Sequence, residues 1–248
     1  MLITQISPSE TMMDGDLERY LGVGASALQA VKSVCKDLKP NSILDIPCGH
    51  GRVARHLKDA YPKAEFFVND IDQDGAAFCA ATFGATQLPA DKNFDAIDYR
   101  RKFDLIWVGS LVTHTPEEET RSFFRFLARH LSANGTAVVT THGAFVAGRL
   151  YGRQRPLYGL TVAEETRIFH EYIERGFGYH PYRGVADYGI TLMSRGWVNE
   201  QAPFAGLEIV RYVDHGWDNH QDVIGLRLAR PKGFGSRMAR RFTGRVDA

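Results

Sequence analysis

Apolar positions along this chain follow two rhythms: stretches with a helical repeat, and short unbroken apolar runs that read as buried strands. From Asp16 to Leu38 the repeat is helical, with Leu17, Tyr20, Leu21, Leu28, Val31 and Val34 broadly on one side, and Lys39-Pro40-Asn41-Ser42 ends it. Ile43 to Ile46 is a buried strand followed by a glycine-bearing turn. Val53 to Ala60 reads as a helix stopped by Tyr61-Pro62. A second strand covers Ala64 to Val68, and a helix covers Gln73 to Phe83. A weak third strand lies near Thr86 to Leu88, and a fourth spans Phe103 to Val108. The helix expected from Pro116 to Leu131 offers Phe123, Phe124, Phe126, Leu127 and Leu131 for burial. Glu117, Glu118 and Glu119 suit its positive start. Asn134-Gly135 turns the chain into a fifth strand, Thr136 to Thr141.

Strand–helix alternation of this kind predicts an α/β fold with a doubly wound, mostly parallel sheet. The alternation breaks after His142. Residues 143–205 are aromatic, glycine-rich and irregular, apart from a helix expected over Thr161 to Arg175 with a Thr161–Glu164 capping box. Leu207 to Val213 and Val223 to Leu228 read as two closing strands, joined by a turn holding Gly216-Trp217-Asp218-Asn219-His220. The expected organisation is an N-terminal helical segment (1–40), a core (41–142), an insertion (143–205), closing strands (206–230) and a basic tail (231–248). A long irregular segment inside a compact domain reads as a functional cap.

Composition narrows the function classes without naming one. The 248 residues are 44% hydrophobic and 24% charged, and the formal net charge is +1, so bulk electrostatics point to no nucleic-acid partner. Basic residues concentrate in the tail (Lys232, Arg237, Arg240, Arg241, Arg245), which reads as a solvated end, or as an arm for anionic glycan or lipid headgroups. Cys35, Cys48 and Cys79 have no disulfide-framework or zinc spacing, and no apolar run is long enough to span a membrane. The expectation is a soluble cytoplasmic protein, with a homodimer left open. No His/Asp/Glu cluster has metal-ligand spacing, so no metal is expected.

The chemistry-bearing stretch is Asp45-Ile46-Pro47-Cys48-Gly49-His50-Gly51-Arg52. Glycines between a strand and a helix let the backbone approach a ligand, and helix-start amides suit an anionic group. Asp70 closes the next strand, where an acid accepts hydrogen bonds from ribose hydroxyls. A dinucleotide dehydrogenase and an S-adenosylmethionine enzyme share this logic, and alanine at Ala54 keeps the first open. The acidic start at Asp45 favours the second. The run Ile43–Leu57 resembles motif I of class I S-adenosylmethionine-dependent methyltransferases. Phe67-Val68-Asn69-Asp70-Ile71-Asp72, Phe103-Asp104-Leu105-Ile106-Trp107 and His130-Leu131-Ser132-Ala133-Asn134-Gly135-Thr136 resemble the family's later motifs in order. The resemblance implies the seven-stranded, Rossmann-like methyltransferase fold and S-adenosyl-L-methionine as cofactor.

By position, the resemblance implies that Asp45, Pro47, Cys48, Gly49 and Gly51 surround the methionine part. Asp70 holds the ribose, Ile71 flanks the adenine, and Gly109 and Ser110 line the methyl-donating end. Ala90 and Asp91 stand where an adenine-edge acid often sits, and Tyr20 and Gly22 could close over the cofactor. Pro47 departs from the pattern: it replaces a family glycine and has no amide to donate.

A hydroxyl acceptor needs a base. His114, after the fourth strand, and His142, ending the fifth, lie beyond the carboxyl ends of the strands where chemistry sits. Either is also readable as a structural histidine. His180, Tyr182, Asp187 and Tyr188 read as insertion packing or acceptor contacts, and the Trp217–His220 turn as a plain turn or a substrate contact. No Asn/Asp-Pro-Pro-aromatic run follows the fourth strand, which argues against nucleic-acid amino methylation. The aromatic insertion, with Ser-Leu-Val-Thr-His and Thr-Thr-His-Gly after strands four and five, resembles bacterial polysaccharide-associated O-methyltransferases. The expected reaction is O-methylation of a sugar, a glycan or another small hydroxyl-bearing acceptor. A secondary-metabolite methyltransferase and a non-catalytic cofactor-binding module remain open.

Overall fold

The computed structural model describes residues 1–151, 157–185 and 187–230, so the basic tail lies outside the described residues. The N-terminal half alternates as expected: α1 (Leu17–Val34), β1 (Ser42–Asp45), α2 (Ala54–Ala60), β2 (Glu65–Val68), α3 (Gln73–Phe83), β3 (Thr86–Gln87), β4 (Phe103–Val108), α4 (Glu117–His130) and β5 (Leu131–Thr141). There follow α5 (Ala144–Leu150), α6 (Val162–Arg175), β6 (Phe177–Pro181), β7 (Gly189–Met193), α7 (Arg195–Gln201), β8 (Leu207–Trp217) and β9 (Gln221–Leu228). Seven strands form one sheet in the order β3-β2-β1-β4-β5-β9-β8, and β6 and β7 form a separate hairpin.

The sheet is parallel from β3 to β5 because helices cover both faces, which its central strands demand by being apolar on both sides. Ile43 and Leu44 of β1 are fully buried and pair with Leu105 and Ile106 of β4. β9 enters antiparallel, with Val139 opposite Ile224, and β8 closes the edge. On one face, Phe123 and Phe126 of α4 meet Phe94, with ring centroids 4.8 and 6.1 Å apart. On the other, Val31, Leu57, Phe83, Trp107 and Trp217 join α1, α2 and α3 to the sheet.

Several boundaries differ from those the sequence predicts. The fifth strand begins at Leu131 rather than Thr136, because its pairing with β4 starts at Phe103 opposite Leu131 and shifts register before Leu105. β8 runs to Trp217, so Gly216 and Trp217 belong to a strand and the tip is Asp218 and Asn219, both with positive φ. α1 stops at Val34, short of the expected Leu38.

In the 143–205 segment the capping box is formed: Thr161 Oγ1 accepts from Glu164 N, and Glu164 Oε2 accepts from Thr161 N. α5, the β6–β7 hairpin and α7 were not legible, since short glycine-broken pieces show neither repeat clearly. α5, α6 and β7 gather their own core around Val146, Leu150, Ile168, Ile190 and Leu192, whereas Trp197 and Val198 of α7 join the main core. β7 then docks on the main fold through its backbone: Gly189 N donates to His114 O (3.0 Å), Thr191 N to Thr113 O (2.9 Å) and Met193 N to His142 O (2.9 Å).

The polar N-terminal stretch also docks. Arg55, buried under α1, donates to Gly51 O (2.9 Å), Ile3 O (3.0 Å) and Gln5 O (3.0 Å), tying residues before α1 to the turn after β1. Among the described residues no helix is long and apolar enough to cross a membrane. Replacing Arg55 by Ala leaves the carbonyls of Ile3 and Gln5 without this donor, while Gly51 O keeps the backbone amide of residue 55 (3.3 Å). Arg55→Ala is expected to lose about 1–3 kcal/mol of stability and to be cut faster by protease within residues 1–12; an unchanged digestion pattern would contradict this anchoring.

Candidate active site

A cavity of about 880 Å³ opens at the carboxyl ends of β1, β2 and β4. Of the residues the sequence singles out, Pro47, Cys48, Gly49, Asp70, Ile71, Gly109, Ser110 and His114 line it. Asp91, Asp187, Tyr188 and Trp217 line it as well. Asp45, Gly51 and His142 stand behind its wall, and Tyr20, Gly22 and Ala90 are not among its lining residues.

The turn after β1 separates the roles of its two glycines. Gly49 has φ +49°, and a Cβ built there would meet no atom within 4 Å, so the backbone faces open cavity. Gly51 has φ +83°, and a Cβ there would come within 2.3 Å of Phe83 Cε2. Gly51 is therefore needed for packing against α3, a constraint separate from the approach to a ligand that the sequence suggested. Most of the turn's amides are committed: Cys48 N donates to Asn69 O (3.1 Å), Gly49 N to Asp70 Oδ2 (2.7 Å) and Gly51 N to Cys48 O (3.0 Å). The Ile46–Pro47 peptide bond is cis, and Pro47 has no amide to offer.

Asp70 accepts from Gly49 N and, through its other oxygen, from Asp72 N (2.8 Å). Burial raises its pKa above the usual carboxylate range against those two hydrogen bonds. Asp45 is more extreme: it is completely buried, and neither carboxylate oxygen has a hydrogen-bond partner. Burial, and then the neighbouring charge of Asp70, push its pKa well up. Asp70, with acceptor capacity left at the cavity wall, suits a ligand with hydroxyl or ammonium donors, and Asp45 adds a second acid behind it. S-adenosylmethionine fits that donor set. Ile71, 65% exposed, offers an apolar edge at the rim.

On the opposite wall, Ser110 adopts φ +57°, uncommon for a residue with a Cβ. Ser110 N donates to Thr140 Oγ1 (2.8 Å), and Gln221 Nε2 donates to Ser110 Oγ (2.7 Å), so β5 and β9 hold the loop after β4 in place. His114 follows. Its Nδ1 lies 2.7 Å from Gly189 O, and a carbonyl can only accept, so Nδ1 carries the hydrogen and Nε2 keeps its lone pair. Tyr188 stacks on its ring at 4.6 Å and 26°. Burial lowers the His114 pKa, which keeps the imidazole neutral and its Nε2 lone pair available.

His142 requires a correction. Its ring is buried 6.3 Å from that of His114, outside the cavity, and its Nδ1 has no partner. Burial, reinforced by the nearby His114 and His220, pushes its pKa down to about 3. A general base must reach the proton that it takes, and His142 does not reach the cavity. Of the Trp217–His220 segment, Trp217 alone lines the cavity. Asp218 instead receives a bidentate bond from Arg19 (2.7 and 2.6 Å), and His220 lies 2.7 Å from Tyr158 Oη. His180 faces Pro181 O (2.7 Å), and Tyr182 packs beside His114 and Tyr188.

Sequence reasoning missed part of the wall. Ser9, Glu10, Thr11 and Met12 line the cavity, and so do Arg52, Trp107 and Glu119. Ser7 Oγ lies 2.9 Å from His50 Nδ1, and His50 Nε2 lies 3.0 Å from Asp72 Oδ2, so one imidazole joins the N-terminal stretch to the cavity rim. No hydrophobic repeat marks those early residues. Among the described residues no group of three or more His, Cys, Asp or Glu side chains is placed to hold a metal ion.

Residues 44–137 match a family model described as a methyltransferase domain. No curated protein matches the chain in sequence. Among solved structures, an S-adenosylmethionine-dependent methyltransferase from Clostridium acetobutylicum aligns with a TM-score of 0.58 at 13% identity, covering 88% of this chain and 97% of that one. A protein from Pyrococcus horikoshii aligns at 0.61 and 14%, covering 90% and 96%. The glycopeptide N-methyltransferase MtfA complexed with S-adenosyl-L-methionine aligns at 0.56 and 12%, covering 84% and 94%. At these identities the likeness is one of fold.

Two outcomes follow from the geometry. Gly51→Ala forces a Cβ into Phe83 at a positive φ and is expected to cost about 1–3 kcal/mol in a denaturant titration, whereas a cost near zero would mean that the contact relaxes freely. His142 is held neutral when folded, yet takes a proton near pH 6.5 when unfolded. Its contribution is therefore fully present above about pH 6.5 and is lost as pH falls towards its folded value. His142→Gln is expected to show a smaller drop in urea midpoint than the parent between pH 6.5 and pH 4; an equal drop would assign the loss to other groups.

Proposed function

We propose that this protein is an S-adenosylmethionine-dependent methyltransferase that methylates a hydroxyl of a sugar or glycan with His114 as general base, a reading supported by the methyltransferase-domain match over residues 44–137 and by the shared fold. The observation that carries the proposal is the fixed tautomer of His114: Nδ1 is spent on Gly189 O, which leaves the Nε2 lone pair at a cavity wall. Bound S-adenosylmethionine supplies an electrophilic methyl group on a sulfonium whose sulfur takes the bonding electron pair as it leaves.

The chain's own residues orient and accept protons. In this reading, Asp70 would hold the ribose hydroxyls, Ile71 would flank the adenine, and Gly49 would let the ligand approach the backbone. Asp45 and Asp70 would together balance the cationic end from below. His114 Nε2 takes the hydroxyl proton as the acceptor oxygen bonds to the methyl carbon, and alignment supplies much of the remaining rate. Tyr188 gives a flat apolar face, and Glu119 and Asp187 line the same cavity as hydroxyl acceptors. That combination of ring face and carboxylates suits a polyhydroxylated ring.

The test is a methyl-transfer screen over sugars, phenols and amines. His114→Ala is expected to lower kcat about 100- to 10,000-fold while cofactor affinity, read by calorimetry, stays within about twofold. The parent should lose activity only as pH falls through the depressed His114 value, below the ordinary histidine range near 6.5. Full activity in His114→Ala would remove the base assignment. Turnover of amines or phenols with none on sugars would remove the acceptor assignment.

A further inference from the structure

Charge is unevenly spread around the cavity. Six of its lining residues are Asp or Glu, and two are Lys or Arg: Lys92 and Arg52. Lys92 follows Asp91 in sequence and acts electrostatically on Glu119, which places it towards the acceptor wall. Arg52 belongs to the turn after β1. Its guanidinium carbon lies 6.0 Å from the Tyr20 ring centroid and 5.9 Å from that of Trp217.

The acids whose charge reaches Arg52 are already engaged. Glu10 accepts from Tyr20 Oη (2.6 Å), and Asp218 takes the bidentate bond from Arg19. Among the described residues Arg52 has no ion pair of its own, although burial works against its charge. Of the backbone amides beside it, those of His50 and Arg52 are uncommitted among the described residues, whereas most of the others are engaged. Position 47 has no amide, and the amides of Cys48, Gly49 and Gly51 are committed to Asn69 O, Asp70 and Cys48 O. An anionic group entering this end meets few free amides, and a guanidinium beside two aromatic rings is suited to a carboxylate.

We propose that Arg52 anchors the α-carboxylate of the cofactor's methionine moiety and so makes binding depend on that carboxylate. This rests on the S-adenosylmethionine reading above. Arg52 is the cation beside the turn, and the carboxylate is the ligand's anionic group. The aromatic pair limits where the guanidinium can swing, so the carboxylate is met by a pre-placed fork rather than a mobile chain.

Calorimetry separates the possibilities, using S-adenosylhomocysteine and its decarboxylated analogue, which keeps the amine. For Arg52→Gln, S-adenosylhomocysteine is expected to bind about 10- to 100-fold more weakly. The decarboxylated analogue should bind the variant within about twofold of the parent, which also shows that the variant is folded. Arg52→Lys should recover part of the loss, as a charge without the fork. Equal losses for both ligands in both variants, or no loss for either, would overturn the anchor. If the parent binds neither ligand, the cofactor reading itself falls, and the anchor with it.

Discussion

The cavity depends on one short contact, the 2.7 Å hydrogen bond from Gly49 N to the Asp70 carboxylate. It joins the turn after β1 to the end of β2, two strands whose pairing runs Asp45 opposite Val68. Asp70 receives the amide of Asp72 as well, which shapes the entry into α3. α3 then comes so close that a Cβ on Gly75 would lie 2.6 Å from Gly49 O. The glycines at 49, 51 and 75 thus answer to one constraint. The turn is pinned from below by a carboxylate and from the side by a helix, and only Gly49 is left facing the opening.

The same pinning explains the electrostatics. An amide given to Asp70 is not available to a ligand, and Pro47 removes another. The floor of the cavity is consequently acidic and short of backbone donors. A ligand suited to it brings its own donors and positive charge, and Arg52 is the cation beside the turn for an anionic part. S-adenosylmethionine has this charge pattern: a sulfonium, an ammonium and ribose hydroxyls, with one carboxylate.

A second set of backbone contacts makes the other wall. β7 lays Gly189 and Thr191 against His114 and Thr113, so the insertion extends the loop after β4 as a strand would. This sets the His114 tautomer through Gly189 O and brings Tyr188 onto its ring in one step. His142, only a few ångströms farther on, is sealed behind the wall by the same docking through Met193 N. Two histidines at equivalent strand ends therefore have different chemistry: one is neutral and reachable, the other neutral and shut away.

Legible in the chain alone were the features that depend on local pattern. The alternation of buried runs and helical stretches specifies a parallel α/β sheet, because a strand apolar on both faces has to be covered twice. Thr161 and Glu164 announce a helix start because a capping box is closed within four residues. Asp45, the turn and Asp70 mark a nucleotide-type site because their spacing is that of one strand–helix–strand unit. What lay beyond pattern was everything set by contacts distant in sequence. The sorting of Gly49 to the open cavity and Gly51 to Phe83, the sorting of His114 to the cavity and His142 behind it, and the return of residues 9–12 to the wall all come from such contacts. Hydrophobic repeats report which side of an element is buried, whereas accessibility, tautomer and charge balance depend on which other element buries it, and only the folded chain decides that.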